Sequence, residues 1–316
     1  MPFATRLRRP WLHSDHDPRM TIEPWYWIAF TLVAAVLQTG RNATQRGLTD
    51  NLGTLGATMV RFVFGLPFGL FFLAVVLAVS QAELPRFNAG TWAWATAAGL
   101  AQIAATFLML AAMREKSFVV ATALTKFEPV WVAVFGLVFL ADAIGPALLL
   151  AIAAATAGVV VMSWPVQGVQ WSPRPVILGL ASGAGFGVAA IGFRGAIRTL
   201  DAPSFVVAAS SVLALGLCIQ SAVLVGYMLW RDRPLLANLA RNWRTSMVAG
   251  GLGAAASQGW FLAFAVESAA RVRTLALVEI FFAQLVSRRL FSQQNSRREW
   301  VGMGLLIVGV ILVLQS

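Results

Sequence analysis

The sequence predicts an all-α integral membrane protein whose ten transmembrane helices form two inverted five-helix repeats. Three observations carry the prediction. Apolar residues make up 59% of the 316 positions and charged residues 12%, with a mean hydropathy of +0.75, whereas a soluble domain carries roughly 45–50% and about 25%. The apolar residues fall into ten runs separated by short charged stretches. The chain also matches itself at an offset close to half its length. With so few charges, one water-facing globule cannot hide the apolar surface, so the main solvent must be lipid. Ten spans of about 20 residues would use about 200 positions and leave short loops. The same composition excludes disorder, collagen and disulfide scaffolds. The lone Cys218 has no partner for an internal disulfide.

The elements follow from the charged punctuation. Residues 1–24 hold Arg6, Arg8, Arg9, Arg19, His13 and His16 without an apolar core, so they read as a disordered basic tail rather than a signal peptide. Met20 is an alternative start. Trp25, Tyr26 and Trp27 anchor a first span at 25–44, closed by Arg41 and Arg46. Spans follow at 53–79 (closed before Arg86), 89–113 (Arg114, Lys116), 117–140 (Asp142) and 145–164 (Trp164 as anchor, then Arg174). The second set lies at 176–197 (Arg194, Arg198), 204–229, 245–266 (Arg271, Arg273), 272–290 (Arg288, Arg289, Arg297, Arg298) and 300–315. Between the seventh and eighth spans stands the longest break, residues 231–244, with Pro234 to end a helix. No run alternates with the two-residue period of a barrel strand, so the spans are helices, which satisfy their own backbone in lipid.

A shift of 152 pairs Gly40 with Gly192, Arg46 with Arg198, Gly99–Leu100 with Gly251–Leu252 and Glu115 with Glu267. A shift of 153 pairs Ala123–Leu124 with Ala276–Leu277, and one of 151 pairs Gly158–Val159 with Gly309–Val310. The repeats are then 25–164 and 176–316, joined by a linker at 165–175. Five spans is an odd number, so the second repeat must enter the membrane inverted. Inverted repeats around a midplane site are a recurring transporter design.

At this point the chain resembles the drug/metabolite transporter superfamily, EamA type. The resemblance rests on Leu124-Thr125-Lys126-Phe127-Glu128-Pro129, on Gly136 and Leu140-Ala141-Asp142 downstream, and on Leu275 to Phe291 as the counterpart. It implies a secondary carrier of small metabolites, commonly an exporter, with cavity-lining fourth and ninth helices. Family members often end those helices with Gly-Glu. Here stand Ala141-Asp142 and Phe291-Ser292, and Phe282 occupies the position aligned with Pro129, so the two halves need not move alike.

A charge at the bilayer centre costs roughly 2.5–3.5 kcal/mol on insertion scales, which makes intramembrane charges functional candidates. Arg61, Lys126, Glu128 and Glu279 qualify. Lys126 and Glu279 occupy repeat-equivalent positions with opposite charge and are expected to face each other across the central cavity. Lys126 and Glu128, two residues apart, should point to different sides of one helix, with Arg61 a partner for Glu128. Pro129 should bend that helix. Glu279 could hold a substrate ammonium or carry a coupling proton, and Lys126 or Arg61 could meet a carboxylate. Together they suit a zwitterion such as an amino acid, or a neutral metabolite with polar edges. A static ion pair that fixes packing is the competing reading. Gln38, Gln102, Gln258 and Trp260 are further cavity candidates, set against plain packing.

The expected partners are a small-molecule substrate, a proton as candidate coupling ion, and the lipid bilayer, with the protein a monomer or homodimer in a bacterial inner (plasma) membrane. No cofactor or metal site, nucleic-acid partner or enzymatic constellation is expected; the arginine excess sits between apolar runs, at headgroup level. The alternative function is a lipid or lipid-linked-sugar flippase. Thirteen basic residues follow odd spans against five on the opposite side, apart from the tail. That bias places the termini outside, against the cytoplasmic termini that the resemblance implies.

Overall fold

The computed structural model describes residues 25–114, 125–163, 173–280 and 297–316, and all regular structure in them is helical. The predicted tail at 1–24, Trp164, most of the linker and Phe282 lie outside the described residues. The helices are α1 (Tyr26–Val63), α2 (Leu66–Ser80), α3 (Ala89–Arg114), α4 (Glu128–Leu140), α5 (Pro146–Ser163), α6 (Pro173–Thr199), α7 (Phe205–Arg231), α8 (Arg233–Arg241), α9 (Trp243–Val266), α10 (Ala269–Ala276) and α11 (Arg297–Gln315). Four stretches are long and apolar enough to cross a membrane: 47–80, 89–112, 176–199 and 205–231. Shorter apolar helices cover 128–140, 146–162 and 300–315.

α1 is two limbs joined at Gly53, whose φ of 68° is left-handed and therefore open to glycine at little cost. Gln45 of the first limb donates to the Ala57 carbonyl of the second at 2.6 Å, which ties the limbs across the break. The first limb therefore continues to residue 52 instead of closing at 44. This corrects the placement of Arg41: it is buried in mid-helix, not held in a headgroup loop. A second break precedes α2, because Pro67 has no N–H to offer the Val63 carbonyl. α9 crosses this elbow in backbone contact. A Cβ on Gly250 would lie 2.5 Å from the Phe64 carbonyl carbon, and one on Gly65 would lie 3.3 Å from the Gly250 oxygen.

Three other expectations change. Pro234 starts a helix rather than ending one: it occupies the first turn of α8, where Asp232 accepts the Leu235 N–H at 3.2 Å. Trp27 is buried, so of the opening aromatics Trp25 is the exposed one. The ninth segment begins at Ala269, one turn before residue 272, because Ser268 caps it by accepting the Arg271 N–H at 3.3 Å. Arg194 and Arg273 are buried too. Taking them and Arg41 out of the loop tally removes two charges from the poorer side and one from the richer, so the charge bias grows.

The bundle packs by close pairs. α1 lies along α9, α3 along α6 and α5 along α11, while α2 meets α7 and α4 meets both α6 and α10. Small residues allow this. A Cβ on Gly192 would sit 2.8 Å from the Ala98 Cβ, and one on Gly309 would sit 2.6 Å from the Ala155 Cβ. Phe62, Phe193, Phe264 and Met59 fill the interior, while Phe71, Val79, Val138, Leu150 and Ile177 cover the outer surface. An apolar exterior of this kind fits lipid as solvent.

Candidate functional site

The site forms where two helices are interrupted. α4 can begin only at Glu128, since Pro129 has no N–H for the carbonyl one turn back. Lys126 and Phe127 therefore lie in a turn, with the Val130 N–H bonded to Phe127 O at 3.0 Å. Beyond α10 the chain tightens into i→i−3 bonds: Leu277 N to Thr274 O at 3.2 Å, Val278 N to Leu275 O at 3.0 Å and Ile280 N to Leu277 O at 3.2 Å. Glu279 stands in that tightened stretch.

The two breaks bring Lys126 Nζ into direct ionic contact with Glu279 Oε1. Glu279 Oε2 accepts a hydrogen bond from Gln38 Nε2 at 3.2 Å, and Gln38 Oε1 accepts from Trp260 Nε1 at 3.1 Å. The indole N–H and the carboxylate together fix the orientation of the Gln38 amide. Over the Trp260 ring, the Arg273 guanidinium lies 4.4 Å from the ring centroid. Arg273 Nε stands 2.9 Å from Glu128 Oε1. Lys126, Glu279, Gln38, Trp260, Arg273 and Glu128 thus form one connected network whose two ends, Lys126 and Glu128, lie two residues apart in the chain.

Gln38, Lys126, Glu128 and Arg273 of this network border a cavity of about 30 Å³, lined also by Arg41, Asn42, Arg61, Met109, Thr125 and Phe186. Its size admits water but no metabolite, so the arrangement is a closed one. Arg61 Nη1 donates to Thr106 Oγ1 at 2.9 Å and lies 5.2 Å from the Phe62 ring centroid. Arg41 donates from Nε and Nη2 to Asn42 Oδ1 at 3.2 and 2.6 Å.

Six of the predicted residues meet here: Lys126, Glu128, Glu279, Arg61, Gln38 and Trp260. Two stand apart from this site. Gln102 accepts from Gln220 Nε2 at 2.8 Å and lines a separate void of about 10 Å³ beside Arg61. Gln258 donates to Ser210 Oγ at 2.9 Å, between α9 and α7. The expectation that Lys126 and Glu128 face different sides is corrected: both line one cavity. The expectation assumed 100° per residue through an unbroken helix, and the helix is broken between them. The partner of Glu128 is Arg273, not Arg61.

Arg41, Asn42 and Arg273 were missed because they stand near the ends of apolar runs. One signal was available: Ser268 is an N-cap residue type that places Arg273 a turn inside its helix. Gly40 and Gly47 precede Gly53, so the sequence does not mark where the first helix breaks.

A second charged cluster lies where α4, α6, α9, α10 and the C-terminus meet. Asp142 Oδ2 stands 3.3 Å from Arg194 Nε, and its Oδ1 stands 3.1 Å from Arg198 Nη1. Arg194 also donates to the Phe264 carbonyl at 2.8 Å and to the Glu267 carbonyl. Glu267 pairs with Arg271 at 3.2 Å, and Arg271 reaches the Ser316 carbonyl. These groups border an open cavity of about 350 Å³. Among the described residues no His, Cys, Asp and Glu group could hold a metal ion.

A chain of broken apolar helices with charges at the breaks is a pattern found in carriers, and the sequence agrees with it. Residues 25–164 match the EamA-like transporter family. The family is part of the drug/metabolite transporter superfamily and is typically non-enzymatic. That match implies a membrane transporter and a multi-pass integral membrane protein. A solved crystal structure is similar to it at 14% identity, over 91% of this chain and 94% of the other, with a TM-score of 0.67. At that identity the likeness shows the fold alone, but it spans residues well beyond the family match. No curated protein matches the chain by sequence.

Proposed function

We propose that this EamA-like protein is a secondary transporter that moves a small polar metabolite by alternating access at the Lys126–Glu279 cavity. The observation that carries the reading is the meeting of two repeat-equivalent residues of opposite charge, each at an interruption of its helix. The proposed architecture is ten spans as two inverted five-helix repeats, 25–164 and 176–316, with 165–175 as linker. The packing supports it. Exchanging the halves turns the α1–α9 pair into the α6–α3 pair and leaves α5–α11, α2–α7 and α4–α10 unchanged. In such a bundle one half rocks against the other, and a charge pair across the seam opens and closes with it.

Interrupted helices free backbone groups and side chains at membrane depth, where binding energy is strongest. Glu279 and Glu128 are the carboxylates able to take a coupling proton when Lys126 or Arg273 moves away. Export is the direction that the family resemblance favours, and the charge bias places the termini outside. The test is counterflow in proteoliposomes loaded with a pool of amino acids, small acids, amides and amines, read by mass spectrometry. Exchange of at least one pool member above protein-free vesicles is expected. No exchange of any member, together with translocation of a fluorescent phospholipid, would replace the carrier with a flippase.

A further inference from the structure

The cavity is out of charge balance. Four cationic side chains surround it, Arg41, Arg61, Lys126 and Arg273, and among the described residues two carboxylates face them, Glu128 and Glu279. Both carboxylates are taken: Glu279 by Lys126 and Glu128 by Arg273. Arg41 and Arg61 are left with neutral partners, the Asn42 amide and the Thr106 hydroxyl, although they are only 2% and 4% exposed. Their stems run side by side over Gly253. A Cβ at that glycine would lie 3.3 Å from Arg41 Cδ and 3.6 Å from Arg61 Cγ.

Two buried guanidiniums side by side repel each other, and among the described residues neither is in ion-pair contact with a carboxylate. Such a pair is costly unless an anion joins it. Guanidinium forks match a planar carboxylate through two parallel N–H···O bonds, a geometry that an ammonium lacks. Gln38, Asn42 and Thr125 line the same cavity and offer uncharged polar contacts for the rest of a small molecule.

We propose that Arg41 and Arg61 form the recognition site for a small soluble organic acid, whose carboxylate is held between the two guanidiniums. This rests on the carrier reading and narrows it. A substrate ammonium would have to take Glu279 from Lys126 or Glu128 from Arg273, each time stranding a cation, so the favoured substrate carries a carboxylate and no ammonium.

The test melts the full chain in detergent micelles at equal ionic strength. The probes are sodium acetate, benzoate, succinate and glutarate, their primary amides, and phosphatidylglycerol in the micelle. The acids are expected to raise the melting temperature by several degrees and the amides to leave it unchanged. Arg41→Gln and Arg61→Gln should melt cooperatively and lose the acid response, while Arg61→Lys, which keeps the charge and loses the fork, should need about tenfold more acid. Amides that match the acids, Gln variants that keep the response, or no acid response would each overturn the assignment. A response to phosphatidylglycerol alone would give the pair to a lipid headgroup and overturn it equally. The counterflow pool separates this from the wider reading. Exchange of amines or amides without acids leaves the carrier standing and removes the anion site, whereas acid binding without exchange of any member removes the carrier and keeps the site.

Discussion

The molecule holds two buried charge clusters that solve the same electrostatic problem differently. At the end of the bundle where the C-terminus lies, Arg194 faces Asp142 and also caps α9 by donating to the Phe264 and Glu267 carbonyls. Helix C-terminal carbonyls carry partial negative charge, so this arginine has both a carboxylate and a helix end to balance it. Around the central cavity Arg41 and Arg61 have an amide and a hydroxyl, and no helix end is bonded to either. The first cluster is matched without help and reads as a clamp between α4, α6 and α9. The second is matched only when something else arrives. Buried charge in this protein therefore divides by whether its neutralisation is complete, not by how deeply it sits.

Mutation should separate the two clusters by the sign of the stability change. The largest effect is expected from Asp142→Asn, which strands Arg194 and Arg198 together. Breaking a buried pair from one side costs about 3–5 kcal/mol, so the melting temperature in detergent should fall sharply. A small change would mean that the helix carbonyls alone satisfy Arg194. Next come Lys126→Ala and Glu279→Ala. Each alone strands its partner, and the double variant strands neither, so a double-mutant cycle should show a coupling of about 1–3 kcal/mol; strict additivity would separate the two residues.

Arg61→Gln is expected to change stability little, or to raise it, because it removes a cation that no carboxylate pairs with directly. It should also abolish exchange in proteoliposomes. A loss of stability as large as that of Asp142→Asn would show that Arg61 is a clamp as well. The smallest effect belongs to Ala141, which caps α4 in the left-handed region at φ 51°. Ala141→Gly should stabilise by about 1 kcal/mol, since glycine takes that conformation without a Cβ penalty.

Much of this was legible in the sequence, and the parts that were not share a physical cause. Lys126 and Glu279 could be paired in advance because a repeat offset is a long-range signal that needs no geometry. The apolar helices were legible because apolar runs are long. Arg41 was not, since a charge after an apolar run resembles the end of a span while the helix continues through it to Gly53. For Glu128 the sequence points to the wrong partner, because the side-chain directions of an intact helix do not hold where Pro129 makes the helix start afresh at that residue. Trp27 shows the same limit on a small scale: its type suggests an interfacial anchor, and packing against the core decides otherwise. What the sequence withholds is the local backbone at the breaks, where the chemistry sits.

The central claim is that the Lys126–Glu279 charge pair takes part in transport and is not a static strut. The most direct test is counterflow by the double variant Lys126→Gln, Glu279→Gln, which removes both charges while keeping similar size and hydrogen-bonding capacity. The account predicts a protein that melts like the wild type and exchanges none of the pooled solutes. Exchange at the wild-type rate would contradict it and return the pair to packing.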